Sequence, residues 1–114
     1  MLIFGRDGMQ EVFPYYRSMA DRKRLQIVQY LAQHDEAPVT ELGRELRLSQ
    51  PLVSWHLSLL RKAGIVRTRK EGRQVLCSLN RDRLEAYHRR LASLLGINPY
   101  PIHPDAEPIR AVNT

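Results

Sequence analysis

Six cations stand within thirteen residues between Arg61 and Arg73: Arg61, Lys62, Arg67, Arg69, Lys70 and Arg73, opposed only by Glu71. That stretch carries +5 of the chain's formal charge of +6. Charge so concentrated draws polyanions by releasing their condensed counterions, and nucleic acid is the commonest such partner. A weaker concentration, Arg17, Arg22, Lys23 and Arg24 beside Asp21, is offset by acids elsewhere. Just before the cationic run, Gln50, Ser54, Ser58 and Arg61 recur at three- and four-residue spacing, which on a helix places them on one side. Gln pairs with adenine, Ser with either base, and Arg or Lys with guanine or phosphate. Charge alone is also compatible with a solvated loop, so the elements that hold these groups must decide.

Those elements are legible in the periodicity. Met9, Val12, Phe13, Tyr16 and Met19 predict a first helix, starting at Pro14 or kinked there. Asp21 caps a second, with Leu25, Ile27, Val28, Tyr30 and Leu31 as a broad apolar face. His34–Pro38 reads as a polar connection. Thr40 caps a short helix to Leu46, with Leu42 and Leu46 facing inward. After the tight Arg47-Leu48 link, Ser49 caps a helix from Gln50 to about Ala63, with Pro51 in its first turn and Gly64 at its end. The period then changes. Residues 65–70 and 74–79 form a β-hairpin with a basic tip that turns at Gly72. Asp82 and Glu85 open a last helix as a capping box; Leu84, Tyr87, Leu91, Leu94 and Leu95 form its stripe, and Gly96 ends it.

The architecture expected is mainly α with a small β-hairpin: about five helices in a winged helix-turn-helix, one domain over residues 1–96. Residues 97–114 follow as a tail with four of the seven prolines. On the wheel of the helix opening at Gln50, Val53, Leu57 and Leu60 fall together, flanked by Leu52. Gln50, Pro51, Ser54, Trp55, Ser58, Arg61 and Lys62 take the remaining arc, the side that enters a major groove. Arg69, Lys70 and Arg73 of the hairpin then lie along the adjacent backbone or minor groove, positioning while the helix specifies. Trp55, at the edge of that arc, either faces DNA or stacks on a neighbouring helix. His56 falls between Leu52 and Leu60 and reads as a partly buried, hydrogen-bonded histidine ahead of a base contact.

Other function classes fit less well. There is no Gly-rich phosphate loop, no paired-carboxylate signature and no Ser/His/Asp order in a strand-turn-helix context, so no enzymatic activity is expected. The longest apolar runs are far short of a membrane span, and Arg6 and Asp7 interrupt the first of them as a secretory leader would not allow. Cys77, the one cysteine, excludes an intrachain disulfide and fits a reducing cytoplasm. A winged helix serving only protein–protein contact is the alternative; the +5 segment and the Gln50, Ser54 and Arg61 face argue against it.

Four segments together resemble the ArsR/SmtB family of bacterial repressors: residues 19–28 (Met-Ala-Asp-Arg-Lys-Arg-Leu-Gln-Ile-Val), residues 49–57 (Ser-Gln-Pro-Leu-Val-Ser-Trp-His-Leu), residues 60–66 (Leu-Arg-Lys-Ala-Gly-Ile-Val) and residues 69–73 (Arg-Lys-Glu-Gly-Arg). The likeness covers about residues 10 to 95. It implies a homodimeric winged helix-turn-helix transcriptional regulator that binds an inverted-repeat operator, with repression the expected outcome. Ser49, Gln50, Pro51, Ser54 and Trp55 match the family's DNA-reading positions, and Arg69, Lys70 and Arg73 match its wing. Pairing through the first and last helices would place Val12, Phe13, Tyr16, Met19, Leu84, Tyr87, Leu91, Leu94 and Leu95 at the dimer interface.

The resemblance also raises release of DNA by a metal, for which the family's usual ligands are mostly missing. The arsenic- and cadmium-type site needs cysteines in the Thr40–Leu46 helix, which has none. Of the zinc-type set only Asp82 matches; Leu84, Leu95 and Asn98 stand where other ligands belong. Persulfide sensing needs two cysteines. Asp82, Glu85 and His88, spaced i, i+3 and i+6, with His103 in the tail, remain as candidate ligands for nickel or zinc across a dimer. Against that, Asp82 and Glu85 serve as a helix cap and His88 packs beside Tyr87. An organic inducer, a partner protein or no effector at all are the other readings.

Overall fold

A computed structural model describes residues 6–98. The elements run α1 (Arg6–Met19), α2 (Arg22–Ala32), β1 (Ala37–Pro38), α3 (Val39–Leu46), α4 (Gln50–Lys62), β2 (Val66–Glu71), β3 (Gln74–Leu79) and α5 (Arg81–Leu95). This is the expected five-helix winged helix-turn-helix, with one addition: the supposed polar connection before Pro38 ends in a short strand. Ala37 and Pro38 pair with Cys77 and Leu76, making an antiparallel sheet of order β1-β3-β2. Two residues are too few to show alternation. Pro38 is tolerated because β1 is an edge strand, where a missing N–H costs no ladder bond.

Ile27 and Leu31 of α2, Leu42 of α3, Val53 and Leu60 of α4, then Ile65 and Cys77 meet in one fully buried core. α3 and α4 close tightly around Gly43. A Cβ there would lie 3.1 Å from the Leu48 carbonyl oxygen and 3.4 Å from Val53, tighter than ordinary contact, so an added side chain would press on the Leu48 backbone. The Leu48 N–H donates to the Gly43 carbonyl at 2.9 Å, and Arg47 takes the left-handed conformation at φ 56° to complete the turn. α1 and α5 pack antiparallel. Gly8 faces Leu94, Glu11 pairs with Arg90 at 2.9 Å, and the Tyr15 hydroxyl meets His88 Nε2 at 2.6 Å.

Several local expectations need correction. α1 begins before Pro14 and runs through it. Gln10 and Pro14 are both exposed, so the carbonyl that Pro14 cannot serve lies open to water. α3 is capped by Pro38 and not by Thr40, because the β1 pairing has already fixed extended backbone at that position. α5 is capped by Asn80, whose Oδ1 accepts from the Arg83 N–H at 3.2 Å, leaving Asp82 in the first turn. Leu25 and Leu52 are about half exposed. The flank of α4 assigned to Leu52 is filled instead by His56. Asp21 caps α2 as expected, accepting from the Arg24 N–H at 3.0 Å.

Candidate nucleic-acid interface

The exposed side of α4 and the β2–β3 hairpin are the two walls of one open cleft. Gln50, Ser54, Ser58 and Arg61 line it from the helix, Thr68, Arg73 and Gln74 from the hairpin, and Thr40 from the start of α3. The helix sits there because Val53, Leu57 and Leu60 bury the opposite side. The hairpin sits there because Val66 and Cys77 anchor it in the core, while Glu71 pairs with Gln74 around a two-residue turn. Gly72 holds φ 62° in that turn, a conformation side chains resist. The side chains of Gln50, Ser54, Lys70 and Arg73 make no hydrogen bond or ion pair among the described residues. Their donors and acceptors are therefore free for an outside partner. Arg61 donates to the Thr68 hydroxyl at 3.2 Å, tying helix to wing. Thr40, Thr68 and Gln74 carry no mark in the sequence as interface residues; only the fold brings them to the cleft.

Four of the expected interface residues need finer placement. Arg69 is not a free cation. Its Nε and Nη2 donate to the two carboxylate oxygens of Glu36 at 2.6 and 2.8 Å, and Nη2 also lies 2.8 Å from Glu71. The side chain points back to the segment before β1, and two acids offset its charge. Ser49 stands at the cap position of α4, yet its hydroxyl makes no capping bond. The Ser58 hydroxyl bonds back to the Trp55 carbonyl at 2.8 Å. Trp55 is 54% exposed and borders a separate cleft with α1, its ring centroid 5.6 Å from the Arg24 guanidinium carbon.

Behind the recognition face lies a buried polar knot. Arg24 is 8% exposed; its Nε donates to the Ser18 carbonyl at 2.6 Å and its Nη1 to His56 Nδ1 at 3.1 Å. A guanidinium can only donate, so Nδ1 must be the unprotonated nitrogen and His56 neutral. Burial pulls the imidazole pKa below its ordinary value, with Asp21 nearby opposing and Arg24 and Lys23 reinforcing. Asp21 is itself held below the usual carboxylate range, chiefly by the Arg24 backbone N–H. Both folded-state values are depressed, so the unfolded chain binds more protons on acidification and stability falls with pH. For His56 the loss begins as pH drops below about 6.5; Asp21 adds its share only in the range where carboxylates titrate. The melting temperature is expected to fall between about pH 7 and pH 5. His56→Asn, which keeps an acceptor near the Nδ1 position without a titrating ring, should flatten that fall. An equally steep decline in the variant would place the acid sensitivity elsewhere.

The candidate metal ligands are not brought together. His88 Nε2 is engaged by the Tyr15 hydroxyl, Glu85 pairs with Arg89 at 3.1 Å, and Asp82 stands about 9 Å along the helix axis from His88. Among the described residues no group of three His, Cys, Asp or Glu could hold a metal ion; His103 lies outside them. Burial pushes the Cys77 thiol up to about 11, which leaves it unreactive. The expected dimer residues also divide. Val12 is buried within the chain, and Met19, Leu84 and Tyr87 pack against its core, Tyr87 also donating to the Ala63 carbonyl at 2.7 Å. Phe13, Tyr16 and Leu95 remain exposed, joined by Met9, which lies outside the expected interface set. Met9, Phe13, Tyr16 and Leu91 line one groove that is almost wholly apolar. No helix among the described residues is long and apolar enough to cross a membrane.

Residues 21–68, from the cap of α2 into the wing, match the family described as bacterial regulatory protein, arsR family. An HTH-type transcriptional regulator of Methanocaldococcus jannaschii is 42% identical over 57 residues, 50% of this chain and 64% of that protein. The arsenic resistance transcriptional regulator ArsR1 of Pseudomonas putida is 33% identical over 91 residues, 80% of this chain and 71% of that one. The transcriptional activator HlyU of Vibrio cholerae is 41% identical over 70 residues, 61% of this chain and 64% of that protein. The chain thus spans slightly under two thirds of the first and third of these relatives. The solved structure of HlyU superimposes with a TM-score of 0.65 at 35% identity, covering 78% of this chain and 96% of that one.

Proposed function

The chain belongs to the arsR family of bacterial regulatory proteins and is a winged-helix transcriptional regulator of that kind, and we propose that it binds an inverted-repeat DNA operator as a homodimer in the cytoplasm. The observation that carries this reading is the open cleft in which the uncommitted side chains of Gln50, Ser54 and Arg73 stand together, with α4 as one wall and the wing as the other, and with Lys70 paired across the wing with Val75 of the same cleft. α4 enters the major groove, where Gln50 and Ser54 read base edges beside Ser49, Pro51 and Trp55. Arg61, Lys62, Lys70 and Arg73 hold flanking phosphates. Arg69 sets the pitch of the wing through Glu36 and does not touch DNA. The apolar groove of α1 and α5 meets its copy in the partner protomer, placing two recognition helices about 34 Å apart on one side of the duplex. Occupancy represses when the operator overlaps a promoter.

The test is selection of bound sequences from random duplexes, followed by affinity measured against salt. The parent is expected to select an inverted repeat and to lose affinity steeply with salt. Lys70→Ala and Arg73→Ala should each lower the slope of log affinity by about 0.9 for every phosphate that is no longer neutralised. Arg69→Ala should leave the slope unchanged, since Glu36 and Glu71 already offset that charge. A flat salt response in the parent removes the DNA reading. A slope change for Arg69→Ala equal to that for Arg73→Ala means instead that the Glu36 clamp opens on the duplex.

A further inference from the structure

Trp55 and Phe13 are the two most exposed aromatic rings among the described residues, at 54% and 58%. They stand on α4 and α1 as walls of the same cleft, of about 570 Å³. That volume lies within the range of ordinary small-molecule sites. Leu59 and Ala63 supply an apolar floor, and Arg17, Arg24 and Lys62 line the rim and back, with no carboxylate among the lining residues. The side chains of Arg17 and Lys62 make no hydrogen bond or ion pair among the described residues. Arg24 is fixed by Ser18 and His56 with its guanidinium carbon 5.6 Å from the Trp55 ring centroid. Both rings are uncovered in the single chain. Combined with uncompensated cations, they suit a flat ring carrying negative charge, which stacks on the rings and pairs with the guanidinium or ammonium.

We propose that this cleft binds a small planar aromatic carboxylate, and that the bound anion weakens association with duplex DNA. The first half stands on the cleft alone; the second rests on the DNA-binding reading. Lys62 and Trp55 belong to α4, the element assigned to the major groove, so an anion seated here adds negative charge beside the phosphates that α4 approaches. Arg24 reaches the same helix through His56, so displacement of its guanidinium is passed to α4. Coupling of this kind is reciprocal: duplex must weaken the anion by the same factor. The site differs from the apolar groove that would take the second protomer. Phe13 lines both, so the site requires a partner protomer that leaves the Trp55 side of that ring open.

The full chain contains one tryptophan, so its indole N–H gives one nuclear magnetic resonance signal that reports directly on the cleft. Titration with benzoate and with indole-3-carboxylate is expected to move that signal saturably, while neutral benzamide and inorganic phosphate leave it in place. Arg17→Gln, which alters an exposed cation outside the DNA-reading set, should weaken the carboxylates about tenfold, the effect of losing a charge-assisted bond, while binding duplex as the parent does. An unmoved signal with both carboxylates, or an equal response to benzamide, overturns the site. A signal that moves with duplex and not with either carboxylate assigns the cleft to the DNA backbone and also overturns it. If the carboxylates bind and duplex affinity is unchanged, the regulatory half fails. If the parent binds no duplex at all, the operator reading fails while the site is still tested by the indole signal.

Discussion

Replacing Arg24 with Met is expected to lower stability by about 2–4 kcal/mol, because the variant keeps the volume and leaves two buried acceptors without a donor. Those acceptors are the Ser18 carbonyl, in α1, and His56 Nδ1, in α4. Arg24 itself stands in the first turn of α2, so one guanidinium joins three helices at the point where α4 receives its orientation. For a domain of this size such a loss corresponds to a fall in melting temperature of roughly 10–25 °C. Lys is a poor substitute, since one ammonium on a longer flexible stem lacks the planar fork that reaches both acceptors at once. His56→Leu should be milder than Arg24→Met, for it removes one acceptor and leaves the guanidinium its bond to Ser18. Urea or thermal unfolding of the three variants decides. An Arg24→Met protein as stable as the parent would mean that the knot is incidental and that apolar packing alone sets the angle of α4.

That knot shows where the sequence is legible and where it is not. Arg24 precedes Ile27 by three residues and Leu31 by seven, the spacing of the buried stripe of α2, so its position is readable in principle. Residue type groups it instead with Arg17, Arg22 and Lys23 as surface charge and gives Leu25 the apolar place. Hydrophobicity argues against a buried arginine, and only the long-range partners Ser18 and His56 make one tolerable. Arg69 misleads in the same way. Its type and position on the wing promise a phosphate contact, but Glu36, thirty-three residues earlier, takes both of its donating edges. Local signals do better. The turn at Gly72, the end of α4 before Gly64 and the Val53, Leu57 and Leu60 stripe depend on neighbours a few residues away, and the structure has each where the pattern puts it. Thr40 looks like a cap because the β1 pairing that decides there carries no local mark. Asn80 is by type as good a cap as Asp82, but the Asp82–Glu85 spacing mimics a capping box and so points to the wrong residue.

Introducing Met9→Glu together with Leu95→Glu is expected to yield a folded monomer that binds an inverted repeat 100- to 10,000-fold more weakly than the parent, roughly the range that loss of a tethered second site produces. Both side chains are about half exposed in the single chain, so a carboxylate there stays solvated in the monomer and folding is spared. In the proposed dimer the same carboxylates would be buried against an apolar partner surface, and no cation is among the residues that line the α1 and α5 groove. Tyr16 and Leu91 are worse choices, since each is partly covered by its own chain and its replacement would confound folding with assembly. Val12 and Tyr87 are worse still, being committed to the core. The diagnostic pattern has three parts: sedimentation as a monomer, a melting temperature near that of the Glu-free monomer at high dilution, and unchanged affinity for an isolated half-site. The half-site result matters most. Loss on the full repeat with half-site binding intact separates a broken assembly from a damaged recognition helix. A double variant that still sediments as a dimer would move the interface away from the α1 and α5 groove and leave that apolar surface for another partner.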